Sequence, residues 1–394
     1  MKICHIVASI NENIGGPAYS VSKLVDHLSQ HSQDVTLASL DYEEHGKPLS
    51  IGNASHLHPP VSKLGRYFRG WSPELYRMLS EHLSSGCDVL HSHGLWMVPN
   101  LYARKLSQRY KIPLVISPRG MLERWSLGKA RWKKYGAWMV YEKANLLQAT
   151  AFHATSEMEL ESIRALGFRQ PVAVIPNGVD LPQAKGLWKR EQVDDFFPQL
   201  RGKRILLFLS RLDPKKGVRE LLDVWKGLSV RFPDWHLVLA GPDLVGMRGR
   251  LEEFVSNEQL GNSVTFTGMI SGAVKDGIFS AAELFVLPSH SENFGNVVTE
   301  SLAYGIPVIT TTGTPWSLLQ EYECGWWIEL KSTFLIDTLR EALSSSSQCL
   351  AEKGNRGKRL IGEVFDWAKL TGQMEEFYSW MSTQGNPPAF VEIE

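Results

Sequence analysis

The chain has 394 residues, more than one hydrophobic core organises, so two domains are expected. Lysine plus arginine and aspartate plus glutamate both number 42, which argues against the strongly basic surface that nucleic-acid binding needs. Residues 1–183 carry 20 basic against 15 acidic residues and the remainder 22 against 27, a mild bias that suits an anionic partner for the first half.

The opening MKICHIVASI is too short and too polar for a secretory signal, and no run of 18 apolar residues crosses a bilayer. The expectation is a cytoplasmic protein. Residues 2–10 read as a buried strand, followed by a glycine loop, NENIGGP, at 11–17. A helix over 18–31 follows, with Ala18, Val21, Leu24, Val25 and Leu28 at helical spacing. Strand, glycine loop and helix open a Rossmann-like domain, although the dinucleotide fingerprint GxGxxG is absent. Gly15 and Gly16 let the backbone approach a ligand closely.

Val35–Leu40 is the next strand, 72–85 a helix and Asp88–His91 a further strand. His91, His93 and His290 raise the question of a metal, but no third ligand has suitable local spacing, and no metal is expected. The cysteines Cys4, Cys87, Cys324 and Cys349 are scattered without a CxxC pair, so neither a cluster nor a disulfide framework is expected. Cys4 and Cys87 lie in strand-like runs and are expected to be buried.

A helix is read over 96–110 and a strand over 114–117. From Arg119 to Lys143, basic residues (Arg119, Arg124, Lys129, Arg131, Lys133, Lys134, Lys143) interleave with Trp125, Trp132, Tyr135, Trp138 and Tyr141. Residues 129–148 read as one amphipathic helix, suited either to an anionic lipid or pyrophosphate-linked partner or to ordinary core packing. Strands at 151–155 and 172–175 precede IPNGVDLP, a Pro/Gly crossover at 175–182. The junction is placed near 180–186.

The second half repeats the pattern. A strand at 204–210 leads into Arg211–Gly217 (RLDPKKG) and a helix over about 218–231. Strands at 236–240 and 264–266 and a helix over 271–282 follow. Residues 287–316, LPSHSENFGNVVTESLAYGIPVITTTGTPW, then read as strand, loop, helix and strand, with Glu292 and Glu300 flanking the turn into the helix. Helices are read over 333–346 and within 356–381, and the tail 383–394 is expected to be loose.

Two such domains create a cleft between the C-terminal edges of their sheets, where ligands bind. Arg211 and Lys216, with helix N-terminal amides, can hold a diphosphate. One glutamate can accept from a ribose diol and the other from sugar hydroxyls. No DxD pair is present, so the phosphate charge falls to Arg211 and Lys216.

These residues resemble the retaining family 4 glycosyltransferases, over nearly the whole chain. The shared features are E-x7-E (Glu292 to Glu300) within ENFGNVVTESLAYGIPVI, SRLDPKKG at 210–217, IPNGVD at 175–180 and GGP at 15–17. SHGLW (92–96) and SPRGML (117–122) are similar to the branch that builds bacterial exopolysaccharides, capsules and O-antigens. The resemblance implies an α/β GT-B fold: two Rossmann-like domains facing each other across a deep cleft, with a C-terminal helix returning to the first. The implied limits are 1–183 for an acceptor-binding domain, 184–365 for a nucleotide-sugar-binding domain and 366–394 for the returning helix and tail.

The resemblance also implies roles. Arg211 and Lys216 bind the diphosphate, Glu292 holds the donor sugar and His93 lies near it. Phe294, Gly295, Asn296 and Val297 meet sugar and phosphate beside Asn293. Glu300 binds the ribose, the backbone near Met269 meets the base, and Gly15 and Gly16 close over the phosphates. Arg119, Arg124 and Asn177 fall to the acceptor. Asn293 and Asn296 depart from the family's commoner residues, which leaves donor identity open.

The implied activity is metal-independent, retaining transfer of a hexose, first UDP-glucose and then other UDP-hexoses or GDP-mannose. No cofactor is implied, because the nucleotide-sugar is a co-substrate. The acceptor is a glycan or polyprenyl-pyrophosphate-linked oligosaccharide, with peripheral contact of 119–143 on the inner face of the plasma membrane. Alternative functions are a nucleotide-sugar 2-epimerase, a non-catalytic sugar-nucleotide-binding subunit, and a nicotinamide oxidoreductase, which the missing GxGxxG disfavours.

Overall fold

The computed structural model describes residues 1–31, 34–128, 131–182, 188–383 and 385–393, and the side chains of Arg131 and Lys133 are also outside the description. Lys129 of the basic–aromatic segment therefore lies outside the described residues. Two compact units are present: Met1–Gly178 with Trp367–Glu394, and Val179–Asp366. The chain passes between them twice, after Gly178 and after Asp366, a few residues from the junction read in the sequence. The Val179 amide donates to the Phe365 carbonyl at 3.2 Å, so the two crossings run side by side.

The first unit holds β1 (Lys2–Val7), β2 (Asp34–Ala38), β3 (Ser55–Leu57), β4 (Val89–His93), β5 (Leu114–Ser117), β6 (Ala151–Ala154) and β7 (Val172–Val174). The second holds β8 (Arg204–Leu209), β9 (Trp235–Ala240), β10 (Val264–Gly268), β11 (Leu284–Leu287), β12 (Val308–Thr311) and β13 (Gly325–Ile328), and β14 (Val391–Glu392) returns to the first. The sheet orders are 14-7-6-5-4-1-2-3 and 10-9-8-11-12-13. Among the described residues the pairings between these strands are parallel except β14 on β7. Strands covered on both faces are near-continuous apolar runs, hence ILLFL at 205–209 and ICHIV at 3–7, the latter interrupted by His5.

Each sheet reverses its strand order once on either side of its first strand, at β1/β4 and at β8/β11. Loops leaving such a reversal point diverge to opposite faces, which opens a crevice at the C-terminal strand edge. The loops of interest, Ala8–Gly15 and Gly94–Trp96 in one unit and Ser210–Gly217 and Pro288–Gly295 in the other, leave the sheets there.

Several expectations are corrected. The tail is not loose: Val391 pairs with Ala173 and Glu392 with Val172. The helix Trp367–Thr383 packs on Gly16–Gln30, burying Phe377, Tyr378 and Met381, and its Trp367 ring stacks on His27 at 4.7 Å. A Cβ on Gly178 would lie 2.3 Å from the Trp367 ring, which is why the crossover carries glycine there. The segment read as one helix over 129–148 is an α-helix (Arg131–Ala137), a π-helical turn (Trp138–Glu142) and a second α-helix (Lys143–Leu147). The π turn shifts the residue register and carries Glu142 into the interior, where it accepts the Trp96 amide at 2.8 Å and the Asn145 side chain at 2.9 Å. Cys4 is buried as expected, whereas Cys87 is only half-buried. No described helix is long and apolar enough to cross a membrane.

Candidate functional site

In the second unit the loop after β8 is shaped by its own backbone. Asp213 caps the short turn Pro214–Lys216 by accepting the Lys215 amide at 2.8 Å. Gly217 ends it at φ +69°, where a Cβ would sit 2.0 Å from the Pro288 carbonyl oxygen. Only glycine tolerates both the left-handed backbone and the contact. The loop is thereby pressed against the one after β11, and the His290 amide donates to the Lys215 carbonyl at 2.8 Å.

This contact places the Lys216 ammonium on the Glu292 carboxylate, and both residues are buried. Ser289 donates to the same oxygen, Oε1, at 2.7 Å. Burial by itself would raise the Glu292 carboxyl, but Lys216, the Ser289 hydroxyl and the nearby Lys215 outweigh it and hold the group below its ordinary value. Glu292 is therefore a carboxylate at neutral pH, able only to accept, which matches the hydroxyls of a sugar. The loop is fixed from the far side: the Glu292 amide donates to the Gly313 carbonyl at 2.9 Å, Thr311 donates to the Ser289 carbonyl, and the Trp316 indole donates to the Phe294 carbonyl at 2.6 Å.

Gly295, at φ +83°, starts the helix Asn296–Tyr304, which no side chain caps. N-terminal amides without a side-chain cap are the groups to which a phosphate binds. Phe294 is buried against Trp316 and Phe365, so it supports the loop and offers a ligand only its backbone. Glu300 lies on the second turn and pairs with Lys275 at 2.9 Å, both partly exposed. Arg211 and Met269 are exposed, on the loops after β8 and β10. The second unit thus gathers Lys216, Glu292 and Ser289 directly, with Arg211 on the same loop as Lys216.

The first unit brings together His93, Arg119 and Asn177. Arg119, buried and at φ +54°, donates to Asn177 Oδ1 at 2.7 Å and to His93 Nδ1 at 3.2 Å. A guanidinium only donates, so His93 Nδ1 is the acceptor and His93 Nε2 carries the proton. That proton is directed to His5 Nδ1, 2.9 Å away. A second chain is fixed from its other end. His153 Nε2 meets the Ile175 carbonyl at 2.8 Å and must donate, so Ser117 donates to His153 Nδ1 (2.8 Å) and accepts from His91 Nε2 (2.7 Å). Tyr378 from the returning helix then donates to His91 Nδ1 at 2.6 Å.

The four imidazoles of this cluster, His5, His91, His93 and His153, are buried and neutral. Burial, with Arg119 beside them, lowers His5 and His153 to about 3, and burial together with Arg119 and the neighbouring rings drives His91 and His93 well below the ordinary value. His5, His91 and His93 do converge as three nitrogen donors, but each lone pair already accepts a hydrogen bond. Burial lowers Arg119 to about 10, which leaves it charged at neutral pH; Glu159 and Tyr378 act the other way. Glu159, itself buried, accepts from the Gly120 and Thr155 amides at 2.7 and 2.8 Å. Arg124 is exposed on the short helix Arg124–Gly128, outside this cluster. Gly15, at φ +107°, starts the helix Gly16–Gln30, again without a side-chain cap and with nothing within 4 Å of its would-be Cβ.

Sequence reasoning missed Ser289, Asp213, Gly313 and Trp316 as the frame around Glu292, and His5, Ser117, His153, Glu159 and Tyr378 as the frame around His93. A visible signal existed for some of these: His5, His91 and His153 are polar residues inside apolar strands, and a buried polar group requires a partner.

Comparison with known proteins matches both halves. Residues 14–183 match the family model described as Glycosyltransferase Family 4, and residues 190–358 match Glycosyl transferases group 1. A GDP-mannose:cellobiosyl-diphosphopolyprenol alpha-mannosyltransferase of Xanthomonas campestris is 23% identical over 97% of this chain and 98% of its own length. Among solved structures, sucrose-phosphate synthase of Thermosynechococcus elongatus superposes with a TM-score of 0.73 at 20% identity, covering 98% of this chain and 100% of that one. Anabaena HepE in complex with UDP-glucose gives 0.71 at 18% identity, covering 96% and 99%. With two Rossmann-like parallel sheets and family matches in both halves, this chain belongs to the family 4 glycosyltransferases of the GT-B fold.

Proposed function

We propose that the protein is a retaining, metal-independent hexosyltransferase that moves glucose from UDP-glucose to a glycan carried on a polyprenyl diphosphate, in the assembly of a bacterial surface polysaccharide. The observation that carries this reading is the buried Lys216–Glu292 pair, held by Ser289 at the strand-order reversal of the second sheet. Lys216 and Arg211 take the diphosphate, and the uncapped helix at Gly295 adds its amides. Glu292 accepts from the sugar hydroxyls, with Asn293 and the 294–297 backbone around it. Glu300 accepts from the ribose in place of its contact with Lys275. The base lies against the exposed backbone near Met269.

No side chain here is assigned as a nucleophile. The acceptor hydroxyl attacks from the face the diphosphate leaves, its proton passes to the departing phosphate oxygen, and Arg211 and Lys216 stabilise the charge that develops. His93 and Arg119 shape the acceptor side, with Asn177 and the exposed Arg124, and Gly15 and Gly16 let the backbone approach the phosphates. The donor is a co-substrate, and no cofactor enters.

A second donor, GDP-mannose, is favoured by the name of the full-length Xanthomonas relative, whereas HepE is named with UDP-glucose. Thermal-shift measurements against UDP-glucose, GDP-mannose and ADP-glucose decide between them, because stabilisation grows with occupancy. Transfer of the stabilising sugar to a lipid-linked glycan with retention, and without added metal, supports the reading. Inversion, or release of free nucleotide with an epimerised sugar and no acceptor, overturns it.

A further inference from the structure

The first unit carries a groove that the reading above does not use. Its volume is about 530 Å³, and it is lined by Leu64, Tyr67, Phe68 and Trp71 on one side and Val98 and Tyr141 on the other, with Arg69 between them. Pockets of this size hold small ligands, and a lining of aromatic and aliphatic groups with one cation fits a molecule with an apolar body and an anionic end.

Three observations mark the groove as built. First, apolar groups are left in water around it: Tyr67 is 86% exposed, and Val140, adjacent to Tyr141, is 81% exposed. Exposed large hydrophobic groups clustered on one patch mark an interaction site. Second, the backbone is strained there. Arg69 (φ +52°) and Trp96 (φ +71°) are both left-handed, and Gly70 between Arg69 and Trp71 is at φ +80°. Such conformations are strained for a non-glycine residue and concentrate at functional sites. Third, the opposite wall is the π-helical turn Trp138–Glu142. Arg69 and the Tyr141 hydroxyl both donate to the Trp96 carbonyl, at 3.2 and 3.1 Å, which locks the two walls together.

We propose that this groove holds the first isoprene units of the polyprenyl diphosphate acceptor, with Arg69 meeting its diphosphate. The inference rests on the proposed acceptor class. A branched hydrocarbon chain fills an aromatic-lined groove, and the guanidinium offers paired donors to the phosphate oxygens. A bilayer surface would need no concave volume, which favours the isoprenoid over bulk phospholipid as occupant.

The test is calorimetric titration of the full-length protein, kept saturated with UDP so that the Lys216 loop is occupied, with farnesyl diphosphate, and with inorganic pyrophosphate as a head-only probe. Farnesyl diphosphate should bind about 100-fold more tightly than pyrophosphate, because the chain buries apolar surface. Phe68→Ala and Trp71→Ala should each weaken it about tenfold, as truncated aromatic anchors do, whereas Phe334→Ala in the second unit should not. Arg69→Gln should narrow the difference between farnesyl diphosphate and farnesol. Equal binding of farnesyl diphosphate and pyrophosphate, or unchanged binding in Phe68→Ala, overturns the assignment. So does equal association with phosphatidylglycerol vesicles with and without added undecaprenyl phosphate. Transfer to polyprenyl-linked glycan with an unchanged acceptor KM in Phe68→Ala overturns the groove alone. Use of water-soluble glycans with no transfer to any polyprenyl-linked one overturns the acceptor reading and the groove with it.

Discussion

The two sheets reverse strand order at equivalent places, β1/β4 and β8/β11, yet the polar clusters described in the two units differ in charge. In the second unit an ammonium and a carboxylate meet, and the carboxyl is held ionised. In the first, one guanidinium is surrounded by neutral acceptors, and four imidazoles are kept uncharged. The difference teaches that topology supplies the place and side-chain chemistry decides its use. A buried ion pair whose members can each exchange partner for ligand is a site in waiting, whereas a buried run of neutral imidazoles bonded mainly to their neighbours, with His5 Nε2 left over, is a scaffold.

The sharpest way to break this comparison is Glu292→Gln. Transfer should fall about 10³-fold, about 4 kcal/mol of transition-state stabilisation, while free UDP binding changes little. Steady-state kinetics with parallel calorimetry checks it, and retained transfer would make the pair structural. Next in size is Gly217→Ala, which forces a Cβ onto the Pro288 carbonyl at positive φ. A loss of about 3 kcal/mol is expected, read as a lower denaturant midpoint, together with reduced donor binding because Lys216 moves.

Acid should act strongly on the neutral histidine network of the first unit. The folded state holds His5 and His153 near 3 against about 6.5 unfolded, so the unfolded chain binds more protons below that value. Stability is then intact above about pH 6.5 and falls as pH drops towards 3, by about 1.4 kcal/mol per pH unit for each such histidine. Glu292, depressed when folded, adds to the loss at the lower end, whereas the raised Glu142 and Glu159 oppose it. His5→Phe should flatten the slope in melts between pH 7 and 4.5, and an unchanged slope would refute the neutral network. The smallest effect is expected for Tyr378→Phe, about 1 kcal/mol, since it removes one donor from His91 and leaves the ring packed. Transfer by that variant should follow its folded fraction.

Much of this was legible in the sequence because parallel strands are apolar on both faces and glycines punctuate the loops. Arg211, Lys216, Glu292 and Glu300 are singled out by the RLDPKKG loop and the E-x7-E motif; the structure pairs Lys216 with Glu292, while Arg211 is exposed and Glu300 meets Lys275. What could not be read was long-range. Glu142 looks like a surface residue of an amphipathic helix until the π turn carries it to the Trp96 amide, 46 residues away in sequence. His5 finds its partner 88 residues on. The tail looked loose because a two-residue strand has no period, and only pairing with β7 defines it.

The hydrogen bond from Tyr378 to His91 spans 287 residues of chain. A nascent polypeptide emerges from its N-terminus, so the whole second unit must leave the ribosome before Tyr378 can reach its acceptor. Until then the flank of Gly16–Gln30 that meets Trp367–Thr383 is uncovered, and β7 lacks its neighbour β14. The half that is translated first is therefore the half that matures last. Removing residues after Asp366 should leave the early half unfinished while the later one closes on its own core.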